Sequence, residues 1–206
     1  MMRSTWAPLK GLVLTGGRSS RMGADKALLE FDGQPLLDRA VRALAAVIPE
    51  IYVSLRAAQS GDPVRSAYTV IADEIDSIGP AAGILAAHRK EPGSAWLVVA
   101  CDMPLLDERC LRLLKDGRAP GKDATCLVAD AQSAPEPLCA IYEPSTLDRF
   151  QAAVDAGGNT SPRAWLAGAD THCIVVPNRD VLRGVNTTAE FGELVAMVDA
   201  TTRDND

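Results

Sequence analysis

LVLTGGRSSRMGADKALL, residues 12–29, is the stretch whose reading decides the fold. It opens on the end of an apolar run, Gly11-Leu12-Val13-Leu14, the pattern of a parallel strand covered on both faces. Gly16 and Gly17 follow; lacking Cβ atoms, they let the backbone turn sharply and bring bare N–H groups close to an anion. Arg18, Arg21 and Lys26 then face a single acid, Asp25, in a chain whose net charge is -6. A strand that delivers a glycine turn rich in cations is suited to polyphosphate.

Two common phosphate loops do not fit. A P-loop needs Gly-Lys-Ser/Thr four residues after its first glycine, but five residues separate Gly17 from Gly23, and Ala24 comes next. The dinucleotide fingerprint needs Gly-x-Gly-x-x-Gly, which Gly16-Gly17 does not give.

Working outward, the chain alternates strand and helix signals. Apolar spacing predicts a helix over 36–46, strands over 50–55 and 67–72, and a helix over 81–90 set between Gly79-Pro80 and Pro92-Gly93. The most uniformly apolar strand, 95–100, runs straight into Cys101-Asp102-Met103-Pro104, and Asp107 is a natural N-cap for a helix to residue 115. Further on, strands are expected over 124–129, 138–142 and 172–176, helices over 145–156, 162–166 and 188–200, and a frayed tail over 201–206. The expected fold class is α/β, a three-layer Rossmann-like, mostly parallel sheet with helices on both faces.

In such a sheet, ligands bind at the carboxyl ends of the strands where the winding reverses, and the first and fourth strands are neighbours there. Asp102 should therefore lie beside Gly16-Gly17. A carboxylate next to a triphosphate calls for a cation, so Asp102 is the expected ligand of Mg²⁺.

Composition bounds the function. The 206 residues fit one domain; 47% are apolar and 23% charged, as in an ordinary globular protein. A sequence pI near 5.0 argues against nucleic acid as a partner, which would need an extended basic face. No apolar leader and no run near the roughly 20 residues of a membrane span is present, so no membrane is expected and the location should be cytoplasmic. The five cysteines, Cys101, Cys110, Cys126, Cys139 and Cys173, contain no Cys-x-x-Cys pair and should be mostly buried, reduced thiols.

Leu14 to Lys26 resembles the signature of the MobA-type nucleotidyltransferases, Leu-Ala-Gly-Gly-x-Ser-x-Arg-Met-Gly-x-Asp-Lys, with Thr15 for alanine as the only departure. Cys101-Asp102-Met103-Pro104 is similar to that family's Cys-Asp-x-Pro, and Asp73 with Gly79-Pro80-Ala81-Ala82-Gly83 to its Asp followed by Gly-Pro-Leu-Ala-Gly. Val185-Asn186-Thr187 is similar to its Val-Asn-Thr-Pro, with Thr188 in place of proline.

The resemblance implies one domain over 1–206, with a nucleotide half (about 8–105) and an acceptor half (about 106–200). It implies transfer of GMP from GTP to the terminal phosphate of molybdopterin, with release of pyrophosphate. Arg21, Lys26 and Asp102 would be catalytic, and Leu14, Thr15, Gly16, Gly17, Lys26, Asp73, Gly83 and Asp102 would hold the nucleotide. Arg56 or Ser54 would replace an asparagine common in the family, and Asp73 would contact either the guanine or the ribose. Arg163 and Asn186 are expected on the acceptor side, Asn186 serving either there or as the cap of the last helix. Partners implied are GTP, the molybdopterin or molybdenum cofactor, and proteins that insert molybdenum or act as molybdoenzyme chaperones. A phosphate acceptor is already anionic near neutral pH, so neither His88 nor His172 is needed as a base. Alternatives left open are a cytidylyl- or sugar-phosphate nucleotidyltransferase, and a nucleotide-binding regulator without turnover. Gly16-Gly17 disfavours the cytidylyl enzyme, and Lys26 with Asp102 disfavours the regulator.

Overall fold

The computed structural model describes residues 6–15, 25–56, 59, 63–73 and 78–203, the last five of these by backbone alone. Seven strands form one sheet: β1 (Leu9–Leu14), β4 (Ile51–Arg56), β5 (Val70–Asp73), β6 (Ala95–Ala100), β7 (Ala124–Val128), β8 (Cys139–Tyr142) and β9 (Thr171–Val175), in the order β5-β4-β1-β6-β8-β7-β9. β2 (Glu30–Phe31) and β3 (Gln34–Pro35) make a separate small hairpin. Its turn residues Asp32 and Gly33 have φ of 53° and 68°, the left-handed pair that a two-residue hairpin turn demands.

β5, β4, β1 and β6 run parallel, with β1 against β4 on one side and β6 on the other. The four carboxyl ends therefore share one edge. β8 is antiparallel to both β6 and β7, so its first residue rather than its last comes to that edge.

Period-two alternation sorts the side chains onto two faces. Val13, Leu97, Val99 and Ile141 point to one face, where they meet Leu44 of α1 (Leu36–Ala45) and Leu111 and Leu114 of α3 (Glu108–Asp116). Leu12, Leu14, Trp96, Val98 and Tyr142 point to the other. There Ile84 and Ala87 of α2 (Pro80–Lys90), Leu147 of α4 (Pro144–Asp155) and Leu166 of α5 (Pro162–Ala167) cover them. All six residues of β6 are buried, as expected of the central strand. α6 (Thr188–Arg203) closes the molecule, its Leu194 packing with Phe31, Leu36 and Val185.

The expected α/β class and winding are observed, with three local differences. The strand expected over 67–72 begins only at Val70, because Arg65–Ala67 form a short 3-10 turn that buries Arg65. The segment expected to fray at 201 is helical to Arg203. Around Asp32-Gly33, where no strand is expected, the chain forms two short strands. Cys101, Cys110, Cys126 and Cys139 are buried thiols, while Cys173, on edge strand β9, is exposed. Among the described residues no helix is long and apolar enough to cross a membrane.

Candidate active site

The residues singled out from sequence line up along the carboxyl edge of the parallel strands: Asp73 ends β5, Arg56 ends β4 with Ser54 two residues before it, Leu14 ends β1 and Thr15 follows it, and Asp102 follows β6. Register puts Arg56 opposite Asp73 and Leu14 opposite both Ser54 and Ala100. The Cys101 amide donates to the Leu14 carbonyl at 3.2 Å, so the turn bearing Asp102 begins against the end of β1.

Lys26 joins three distant parts of the chain. Its Nζ donates to Asp102 Oδ2 at 3.2 Å and to Asn186 Oδ1 at 2.9 Å. Lys26 can reach both because Asp25 caps the 3-10 turn Lys26–Leu28, accepting from the Ala27 amide, and this starts the turn at the sheet edge. The Lys26 and Asp102 side chains are 18% and 26% exposed, so the pair can be reached by a solute. Asp102 does not cap a helix: the N-cap of α3 is Asp107, which accepts from the Cys110 amide, and the Asp102 carbonyl accepts from the Val185 amide. Asn186 is likewise not the cap of α6. Thr187 accepts from the Glu190 amide while Glu190 accepts from the amides of Asn186 and Thr187, a capping box that leaves the Asn186 side chain facing Lys26.

A second cluster adjoins the first. Arg65, fully buried, donates from Nε to Thr15 Oγ1 at 3.0 Å and from Nη2 to Asp25 Oδ1 at 2.9 Å, with Asp25 Oδ2 at 2.8 Å. Thr15 Oγ1 donates to the Ser54 carbonyl at 2.6 Å, and Ser54 Oγ to Asp73 Oδ1 at 2.7 Å. Asp73 is thus a buried carboxylate tied into the row. Arg65 was missed from sequence: it lies in no motif, and the one available signal was that Asp25, amid cations, needs a partner. Gly83 on α2 answers to packing, since a Cβ there would lie 2.2 Å from Ser54 Oγ and 2.7 Å from Leu14 Cδ2.

Arg163 stands apart from Lys26. It pairs with Glu136 Oε2 at 3.5 Å, while Glu136 Oε1 accepts from the Leu138 amide at 3.1 Å. Burial pushes the Glu136 carboxyl above its ordinary range, a shift that Leu138 and Arg163 oppose and the negative charge of Asp102 reinforces. Glu136 lines a cavity of about 360 Å³ with Ser133, Arg179 and Arg183. That cavity neighbours Asp102, because Gly184, next after Arg183, lies with its Cβ position 3.8 Å from Asp102. Burial, then the charge of Asp102, raises the Cys101 thiol to about 12, so it is no nucleophile near neutral pH.

His88 pairs with Asp148 between α2 and α4, outside this row. Gly16, Gly17, Arg18 and Arg21, and the acids Glu74 and Asp76, lie outside the described residues. Among the described residues no group of three or more His, Cys, Asp or Glu side chains could hold a metal.

A family model described as the MobA-like NTP transferase domain matches residues 11–176. The molybdenum cofactor guanylyltransferase of Burkholderia vietnamiensis is 36% identical over 205 residues, covering 94% of this chain and 98% of that protein. A molybdenum cofactor biosynthesis bifunctional protein of Synechocystis is 35% identical over 188 residues, and the chain spans only about half of it, 54% of its length. In fold, the chain is similar to the molybdopterin-guanine dinucleotide biosynthesis protein A of Archaeoglobus fulgidus, with a TM-score of 0.75 at 24% identity over 93% of this chain and 99% of that one.

Proposed function

This chain belongs to the MobA-like NTP transferase family, and from that premise we propose that it transfers GMP from GTP to the terminal phosphate of molybdopterin, releasing pyrophosphate. The observation that carries the reading is the meeting of Lys26, Asp102 and Asn186 at the carboxyl edge of the sheet. These residues, distant in sequence, gather at the strand ends where sheets of this kind take their ligands, and an ammonium beside an accessible carboxylate suits a metal-bound phosphate.

An acceptor phosphate oxygen forms a bond to the α-phosphorus while the bond from that phosphorus to the β-phosphate oxygen breaks. No proton need leave the acceptor, in keeping with the absence of a histidine bonded to Lys26, Asp102 or Asn186 among the described residues. What the step demands is relief of repulsion between anions and in-line placement. Lys26 supplies fixed positive charge, and Arg21, Gly16 and Gly17 are proposed to supply the rest. The donor set fits Mg²⁺ brought in on the triphosphate, since such an ion needs one or two carboxylates, and Asp102 presents one within reach of solvent. When bound, the ion would neutralise phosphate charge.

Asp73 and Arg56, at neighbouring strand ends, are proposed to meet the nucleoside. On the other side of Asp102, the cavity lined by Glu136, Arg179 and Arg183 offers both hydrogen-bond acceptors and cations to the acceptor. Asn186 and Arg163 lie toward that side.

The test is incubation of the protein with Mg²⁺-GTP and molybdenum-loaded molybdopterin. A product of the mass of the guanine dinucleotide, with one pyrophosphate released for each, is expected; CTP should give little. Pyrophosphate release with CTP but not GTP, or GTP binding with no transfer, would overturn the assignment.

A further inference from the structure

Among the cations beside the candidate site, Arg65 is distinguished by burial: its side chain is 0% exposed, whereas Lys26 retains 18%. A fully buried guanidinium is costly unless charge and hydrogen bonds compensate it. Asp25 does this with both carboxylate oxygens, and Thr15 Oγ1 accepts from Nε. Thr15 and Asp25 flank the glycine- and cation-rich stretch 16–24 in sequence.

The pairing matters because of where Asp25 sits. It directly precedes Lys26, the cation that the proposed reaction needs on phosphate. An uncompensated carboxylate there would repel the same phosphates that Lys26 attracts. Arg65 binds Asp25, Lys26 follows it directly in the chain, and Lys26 binds Asp102, so the four charges form one continuous cluster.

We propose that Arg65 is a positioning residue for nucleotide phosphate, acting through Asp25: it takes up the Asp25 carboxylate and so keeps that negative charge from opposing Lys26. This rests on the reading of the Lys26–Asp102 site as a nucleotide site. A purely structural arginine makes a different prediction. If the arginine were only structural, its loss would lower melting and leave the nucleotide affinity of the folded protein unchanged. If charge matters, neutralising Asp25 should relieve the loss of Arg65, and asparagine keeps the oxygen that caps residues 26–28.

The experiment is titration of wild type, R65M, R65K and D25N/R65M with an N-methylanthraniloyl derivative of GTP in the presence of Mg²⁺, with melting curves for each. R65M should bind about tenfold more weakly or worse, and D25N/R65M and R65K should return to within about threefold of wild type. Binding by R65M equal to wild type would overturn the inference, as would a double variant that melts normally but binds no better than R65M. Should R65M fail to fold, R65K decides: a loss of about tenfold despite its retained charge would refute charge compensation. Failure of the wild type to bind the GTP derivative would instead sink the nucleotide reading itself.

Discussion

Asp102 accepts from Lys26 through one carboxylate oxygen and meets the chain of Val185 through its backbone carbonyl, so its side chain is free of structural duty in α3. Asp102→Ala should therefore leave melting within about 1 kcal/mol of wild type, the scale of one partly exposed ion pair. It should nevertheless lower the rate of GMP transfer by about 100-fold or more, the scale of losing one fixed electrostatic partner of the reacting phosphates; near-normal turnover would contradict its placement. Glu136 gives a prediction in pH. Its carboxyl is raised in the folded protein by burial, so the protonated form is favoured by folding. The contribution is fully present below the ordinary glutamate range and is lost as pH rises through the raised value. Glu136→Gln keeps an oxygen for the Leu138 amide but carries no charge. Its melting temperature should gain on wild type as pH climbs through that interval and converge with it in acid, and a pH-independent difference would refute this account.

The helices and turns show which local chemistry was legible. Asp107 announced the start of α3, and Gly79-Pro80 that of α2, because capping and proline geometry are written in a few adjacent residues. The Thr187–Glu190 capping box was equally local and excludes Asn186 as the cap of α6, yet resemblance to a family motif drew attention one residue earlier. Arg65 was not legible at all: its partners, Thr15 and Asp25, are distant in sequence, and nothing near it encodes their approach. Gly83 illustrates a motif residue whose visible demand is steric. Gly83→Ala would drive a methyl group into Ser54 Oγ, which now holds Asp73. Overpacking of this kind costs about 1–3 kcal/mol, and a variant as stable as wild type by chemical denaturation would show that α2 can simply shift.

Across the whole molecule, the parallel half was readable because a strand buried on both faces is apolar throughout, and alternating helices leave few topologies. Asp102 could thus be placed beside the end of β1 before any coordinates. The return strand β8 was less predictable. Its direction depends on a connection from β7 that carries no helix, and a short apolar run reads alike in either sense. That reversal is what brings Glu136 to the functional edge.

The outermost position of Cys173 on β9 has a practical corollary. Its four sister thiols are sealed in the interior, so a mild aromatic disulfide reagent should titrate one equivalent from the native protein and all five after denaturation. More than one fast equivalent would mean the interior breathes. A dye attached at that single handle would give the C-terminal side of the sheet its own optical label, leaving the Lys26–Asp102 end chemically untouched.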